Sequence, residues 1–169
     1  MVFGRGGEEI LALEHAHIPY EIVAGVSALS SVAAAGGFPI TYRGISSEIV
    51  VRSGHNLEDP AIRGAATIPS TTEPRGTTYV YFMPARRLSP IVEELLAEGV
   101  TPSTPVALVQ RGTLPEQKVL HSSLGELISR AEAETVETPA LLVVGEVVRF
   151  REPGRLFPIL DESAASERS

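Results

Sequence analysis

Short apolar segments with strand character alternate with helix-forming segments along most of this chain, and this alternation restricts the fold more than any other feature. The strand-like segments are YEIV (20–23), EIVVR (48–52), TTYVYFM (77–83), PVALVQ (105–110), QKVLHS (117–122) and PALLVVGEVVRF (139–150). Runs of β-branched and aromatic residues such as TTYVYFM favour strands. Strands that alternate with helices are typical of the α/β class, which we therefore predict.

Helices are predicted between these strands from their end signals. The first covers residues 6–16, with two glutamates in its first turn, where the helix dipole favours acidic side chains. The second follows the small-residue turn AGVSAL and ends at a pair of glycines. Ser89 is predicted to cap the third, with Pro90 at its first position, and LGELISRAEA forms the fourth. Residues 54–76, rich in Pro, Gly, Ser and Thr, are predicted to form a surface loop.

Composition excludes several classes of function. The chain has 169 residues and a net charge of −7, whereas a nucleic-acid-binding protein would need a basic surface. The absence of cysteine excludes disulfides, thiolate metal sites and a cysteine nucleophile. No apolar run is long enough to span a membrane, and the start of the chain has no signal-peptide pattern, so we predict a cytoplasmic protein.

The histidines and paired acids predict neither a metal site nor a hydrolytic site. His15 and His17 are two residues apart and so point to different sides of a helix, while His55 and His121 are isolated in the sequence. We interpret all four as ordinary surface or capping residues. The paired glutamates lie at predicted helix starts, where the dipole explains them, and no Ser/His/Asp arrangement has a recognisable local sequence.

Small-residue turns follow three of the predicted strands. VAGVSA, FMPA and QRGT each come after a strand, where backbone N–H groups point away from the sheet. The carboxyl ends of strands are the usual place for a ligand cleft in α/β proteins. The turns therefore predict a cleft that holds a nucleoside-like ligand through backbone contacts, and simple tight turns remain the alternative interpretation.

The order of seven segments resembles that of the uroporphyrinogen-III C-methyltransferases, which belong to the tetrapyrrole methylases. The segments are FGRGGEE, IPYEIVAGVSAL, GGFPITYRG, SGH, YVYFM, TPVALVQRGTLPEQKVLHSSLGEL and PALLVVGEVV. The resemblance extends over residues 1 to about 150. It implies a C-terminal α/β methylase domain with a mixed sheet at 39–150, the last helix–strand–helix of an N-terminal α/β domain at 1–38, and a polar tail at 151–169.

The resemblance also bears on how the chain begins. In the family, the segment FGRGGEE follows a Gly-Gly-Asp-Pro turn and most of an N-terminal domain, which carries a first glycine-rich loop and the proposed acid–base groups. The chain is therefore expected to be a fragment, inactive by itself, with a genuinely shorter protein as the alternative. Because the acid–base groups would lie outside the chain, no catalytic residue is predicted here.

The resemblance assigns binding of the methyl donor, S-adenosylmethionine, to small and apolar residues. The positions that match the family's donor contacts are Val2, Ser27, Ala28, Met83 and Gly112, with Thr113, Pro139 and Ala140 as neighbours of the adenosine. Small side chains allow close approach of a ligand, and methionine offers a soft apolar surface to a sulfonium group. Two departures from the family pattern are Ala24, which replaces a proline, and the loop at 55–76, which lacks the usual Asp-Trp signal.

The substrate that the resemblance implies is uroporphyrinogen III, whose many carboxylates require positive side chains. Arg5 and Arg43 are the predicted carboxylate contacts, with Arg86, Arg87 and Arg111 as weaker candidates. The implied reaction methylates pyrrole carbons and gives precorrin-2, on the way to sirohaem and cobalamin, and the full-length protein is expected to be a homodimer. Two alternatives stay open, namely a methyltransferase for another precorrin and a non-catalytic binding or dimerisation module of the same fold.

Overall fold

The computed structural model describes residues 2–56 and 76–151, which contain four α-helices and five β-strands. The helices are α1 (Gly6–His15), α2 (Ala28–Gly36), α3 (Leu88–Ala97) and α4 (Leu127–Glu134). The strands are β1 (Glu48–Ser53), β2 (Thr77–Phe82), β3 (Pro105–Gln110), β4 (Lys118–Ser123) and β5 (Ala140–Val144). Short 3₁₀ segments cover Gly54–Asn56, Leu124–Glu126 and Glu146–Arg151.

The five strands form one mixed sheet in the order β1-β2-β5-β3-β4. β1 and β2 are parallel, and the other three pairs of neighbouring strands are antiparallel. Because β2 and β3 are both antiparallel to β5, the strands β1, β2 and β3 run in one direction and their carboxyl ends share one edge of the sheet. The predicted α/β class with a mixed sheet is confirmed.

Two apolar cores lie on opposite faces of the sheet because side chains alternate along each strand. Leu108 and Leu142 point to one face, where they pack with residues of α3 and α4. Val109 and Val143 point to the other face, where they pack with residues of α2. All four are buried. The helices therefore cover both faces, which explains why β3 and β5 are almost entirely apolar.

An ion-pair cluster fixes the edge strand β1 to β2 and α3. The Arg52 guanidinium lies 2.7 Å from a carboxylate oxygen of Glu98 and 3.1 Å from one of Glu94. It also donates a hydrogen bond to the Tyr81 hydroxyl at 3.0 Å. Burial raises the pKa of Tyr81, so at neutral pH its hydroxyl keeps the proton that it donates to Glu94 at 3.0 Å. The cluster holds in place the strand whose carboxyl end precedes His55.

Residues 20–23 were predicted to form a buried strand, and this prediction is wrong. The segment pairs with no strand in the described ranges, and the Val23 side chain is 80% exposed. A short apolar segment forms a strand only where a neighbour satisfies its backbone groups, and the described residues offer none. α1 likewise has no buried residue. Residues 2–26 therefore form an exposed N-terminal arm with apolar side chains on its surface: Val2, Phe3, Leu11, Ile18, Tyr20, Ile22, Val23 and Val26.

α2 lies before the predicted domain boundary at residue 38. It nevertheless packs on the sheet, whose strands all lie after that boundary. Its residues Val32 and Ala33 are buried, and its main contacts are with β3 and β5. The boundary itself stays a prediction. Because of these contacts, α2 has a fixed position relative to the ends of the central strands.

Two predicted element ends differ in the structure. β5 ends at Val144 because Gly145 adopts a φ of 146°, and the residues beyond it form a 3₁₀ segment instead of continuing the strand. α3 begins at Leu88 and not after a Ser89 cap. Pro90 is accommodated because N–H groups in the first turn have no partner within the helix.

Two further predicted segments, the surface loop and the polar tail, lie mostly outside the described residues. The predicted loop at 54–76 is described only at 54–56 and at residue 76, and the polar tail only at residue 151. In the ranges that the structure does describe, no helix is both long and apolar enough to cross a lipid bilayer.

Candidate ligand-binding site

A cavity of about 1030 Å³ opens at the sheet edge where β1, β2 and β3 end. Its walls come from the first turns of α2, the residues after β2, the turn between β3 and β4, and the residues before β5. Ligand cavities in proteins usually measure about 300–1,000 Å³, so this one is large enough for a nucleoside-sized molecule. The turns FMPA and QRGT meet here as predicted, and the start of α2 joins them although no strand precedes it.

Six of the eight residues predicted to contact the methyl donor line this cavity. They are Ala28, Met83, Gly112, Thr113, Pro139 and Ala140. Ser27 is not among the lining residues, and its side-chain oxygen caps α2 by accepting a hydrogen bond from the Leu29 N–H at 3.2 Å. Val2 lies on the exposed arm outside the cavity lining, but the ring of its neighbour Phe3 packs against the cavity residue Phe82 with 5.4 Å between centroids.

Two residues at the cavity adopt backbone conformations that normally favour glycine. Met83, directly after β2, has a φ of 54°, and Thr113, in the turn after β3, has a φ of 73°. Such conformations persist only where surrounding contacts hold them, and they cluster at ligand sites. The Gln117 side chain accepts a hydrogen bond from the Thr113 N–H at 2.7 Å and donates one to the Ala35 carbonyl of α2 at 2.9 Å. The turn is therefore fixed to α2.

The residues before β5 are fixed to the same turn. The Arg111 N–H donates a hydrogen bond to the Pro139 carbonyl at 2.8 Å, and the Arg111 guanidinium lies 3.1 Å from the Glu137 carboxylate. The buried Gln110 side chain accepts a hydrogen bond from the Glu137 N–H at 2.6 Å. Two walls of the cavity are thus held together by hydrogen bonds within the protein, which lowers the ordering cost of binding. Arg111, a weaker substrate candidate, does not line the cavity and instead holds Pro139 and Glu137 in place.

Three residues of the site were missed by the sequence analysis. Gln110 is 2% exposed at the end of an apolar strand, and a polar residue in such a position signals a structural hydrogen bond. Gln117 carries no such signal, because its partner in α2 is 82 residues away. His55, interpreted as a surface or capping residue, follows β1 and lines the cavity.

In the described ranges, no three His, Asp or Glu side chains are grouped as metal ligands.

Gly112 is a glycine for a packing reason. A Cβ atom on Gly112 would lie 2.9 Å and 3.0 Å from the two methyl carbons of Val32, a buried residue of α2. The sequence analysis assigned this glycine to the close approach of the donor. The structure shows that α2 also approaches this position closely, and the predicted donor contact at Gly112, which lines the cavity, stays a prediction.

Gly112→Ala is expected to lower the free energy of unfolding by about 1–3 kcal/mol, the usual cost of overpacking a core. The measurement is urea denaturation followed by circular dichroism. Gly7→Ala is the control, since a Cβ atom on Gly7 meets no atom within 4 Å, and its midpoint is expected to equal or exceed that of the wild type. A Gly112→Ala midpoint equal to the wild-type midpoint would contradict the packing assignment.

The arginines that reach the cavity are not the two favoured from sequence. The Arg5 side chain forms an ion pair and a hydrogen bond with Glu8 at the start of α1, which raises the pKa of Arg5 and lowers the pKa of Glu8. Arg43 is exposed in a turn, and neither Arg5 nor Arg43 lines the cavity. Arg86 and Arg87, the weaker candidates, do line it.

These features define the class of protein: a mixed α/β sheet with a preorganised ligand cavity at the carboxyl edge of its parallel strands. The chain belongs to the family of tetrapyrrole (corrin/porphyrin) methylases, whose sequence profile matches residues 1–128.

Curated relatives in this family match most of the chain. A siroheme synthase from Hahella chejuensis is 38% identical over 151 residues, which cover 89% of this chain and 31% of that protein. A uroporphyrinogen-III C-methyltransferase from Methanocaldococcus jannaschii is 36% identical over 148 residues, which cover 87% of this chain and 60% of that protein. The chain therefore spans from about a third to about three-fifths of the length of these relatives.

Solved structures show the same fold. Uroporphyrin-III-C-methyltransferase from Thermus thermophilus superposes with a TM-score of 0.71 at 38% identity, over 89% of this chain and 61% of that chain. A complex of the Thermus thermophilus enzyme with S-adenosyl homocysteine superposes with a TM-score of 0.69 at 36% identity, over 88% of this chain and 63% of that chain. A cobalt precorrin-4 methyltransferase, 17% identical with a TM-score of 0.70, shares the fold.

Proposed function

We propose that this chain is part of an S-adenosylmethionine-dependent uroporphyrinogen-III C-methyltransferase and forms the donor-binding cavity of that enzyme. The observation that carries the proposal is the convergence of six predicted donor contacts, from Ala28 to Ala140, on one cavity. Relatives at 36–38% identity are named for this reaction or for siroheme synthesis, which supports uroporphyrinogen III as the substrate. The precorrin-4 enzyme, at 17% identity, shares the fold, and this likeness does not favour another substrate.

The cavity residues suit a donor that consists of adenosine and a sulfonium group. Ala28, Gly112 and Ala140 leave room for a flat base, and Pro139 adds an apolar surface. Met83 is half exposed at the cavity and brings a polarisable thioether, which suits a sulfonium ligand. The donor therefore fits the residues that are present.

The proposed reaction is an in-line displacement in which the donor supplies an electrophilic methyl group. A pyrrole carbon of the substrate forms a bond to this methyl carbon as the carbon–sulfur bond breaks, and sulfur keeps the electron pair and leaves as a neutral thioether. The pyrrole ring then loses a proton. The role of this chain is to hold the donor in one orientation, for which the fixed turn at Thr113 and the fixed segment at Pro139 are suited.

Donor binding tests the proposal directly. S-adenosylhomocysteine is expected to bind the chain in isothermal titration calorimetry, and Ala28→Leu is expected to weaken this binding at least about tenfold, or about 1.4 kcal/mol. The reason is that Ala28 lines the cavity and is exposed to it, so the larger side chain occupies the space of the ligand.

The matched control is Ala34→Leu, the same change on an exposed position of α2 that does not line the cavity. It is expected to bind the donor product as the wild type does. Equal affinities for the two variants, or no binding by the wild type, would contradict the proposed function.

A further inference from the structure

The charge of the cavity differs from the charge of the chain. The whole sequence has 21 acidic and 14 basic residues, with a net charge of −7. In contrast, the charged side chains among the described residues that line the cavity are Arg86 and Arg87, joined by the titratable His55, and no Asp or Glu is among them. A wall with this charge in an acidic protein attracts an anionic group of a ligand.

Arg86 is the arginine available for such a group. It is exposed in the turn between β2 and α3, three residues after Met83, and takes part in none of the ion pairs or hydrogen bonds within the described ranges. Arg86 and Glu132 also both line a second, smaller cavity of about 280 Å³, but the two side chains do not form an ion pair. Arg87 already has an interaction partner, so it adds positive charge to the wall without being the group available for pairing.

We propose that Arg86 binds a carboxylate of the ligand that occupies this cavity. The inference rests on the proposed function, in which both molecules carry carboxylates: the tetrapyrrole on its side chains and the donor on its amino-acid part. A guanidinium pairs with a carboxylate through two parallel hydrogen bonds, which gives it both affinity and orientation. The contact would fix the bound molecule relative to Met83 at the end of β2.

Three probes separate the two sources of the carboxylate. Uroporphyrin III reports on the tetrapyrrole carboxylates, S-adenosylhomocysteine carries the amino-acid carboxylate, and methylthioadenosine lacks it. With Arg86→Gln, a tetrapyrrole contact is expected to weaken uroporphyrin III binding by about 5- to 100-fold and to leave the other two probes unchanged. A donor contact is expected to weaken S-adenosylhomocysteine by the same factor and to leave methylthioadenosine and uroporphyrin III unchanged.

The control is Arg130→Gln, which removes the same charge from an exposed position on α4 that does not line the cavity. It is expected to bind all three probes like the wild type. If Arg86→Gln binds all three as tightly as Arg130→Gln, the inference is overturned while the proposed function stands. If the wild type binds none of the three probes, both are overturned.

Discussion

Purified alone, the chain is expected to elute from a size-exclusion column well ahead of the position of its 18.0 kDa monomer. In the N-terminal arm, Ile18 is 51% exposed, Ile22 57% and Val23 80%, and exposed apolar side chains concentrated in one short segment favour association. The double variant Ile22→Ser/Val23→Ser is expected to move most of the protein to the monomer position, as measured by chromatography with light scattering.

The control for this prediction is the double variant Leu96→Ser/Leu114→Ser. These two leucines are 40% and 49% exposed, but they lie at separate places on α3 and on the turn after β3. Isolated apolar residues on a surface are normal and do not drive association, so this variant is expected to elute like the wild type. A wild-type chain that is monomeric at every concentration would show that the arm does not self-associate.

The largest loss of stability is expected from Leu142→Ala. Leu142 is fully buried on β5, the central strand, and packs in the core that α3 and α4 cover. Leu→Ala changes at such positions cost about 2–5 kcal/mol, because the surroundings do not close the cavity that is left. This is a large part of the roughly 5–15 kcal/mol that stabilises a typical domain. The measurement is the urea midpoint at constant temperature.

Leu96→Ala provides the comparison, since Leu96 is 40% exposed on α3 and its truncation removes less buried surface than the truncation of the fully buried Leu142. Its stability is expected to fall by about 1 kcal/mol. If both variants unfold at the same urea concentration, Leu142 does not have the central packing role that the structure assigns to it.

The central strands could be predicted from sequence because helices cover both faces of the sheet. β3 and β5 are therefore nearly continuous apolar runs, and a short run of this kind is typical of a strand that is buried on both faces. Residues 20–23 have the same apolar character, but whether they form a strand depends on a neighbouring strand, which a local pattern does not reveal. The end of β5 depends on one backbone angle, a φ of 146° at Gly145, which glycine permits without requiring it.

The candidate site could be predicted as segments but not as side chains. Strand-end turns must lie at the edge of a sheet, so Met83 and Gly112 were expected near each other, and both line the cavity. The sequence could not predict which arginines line the cavity. Arg5 forms an ion pair with Glu8, one helical turn away, whereas Arg86 lines the cavity because the fold places the turn after β2 there.

The place of β5 in the sheet determines when the cavity can form. Val144 pairs with Tyr79 of β2 and with Val106 of β3, so the two halves of the sheet have no bridge until the last described strand has been synthesised. β3 and β4 are neighbours in both sequence and sheet, whereas β2 and β3 keep an open edge until β5 pairs with them. Pairing over such a long stretch of chain is slow and leaves apolar strands exposed in the meantime. Because the cavity walls come from both halves of the sheet and from the residues before β5, we expect the ligand site to form only once β5 has paired with both halves.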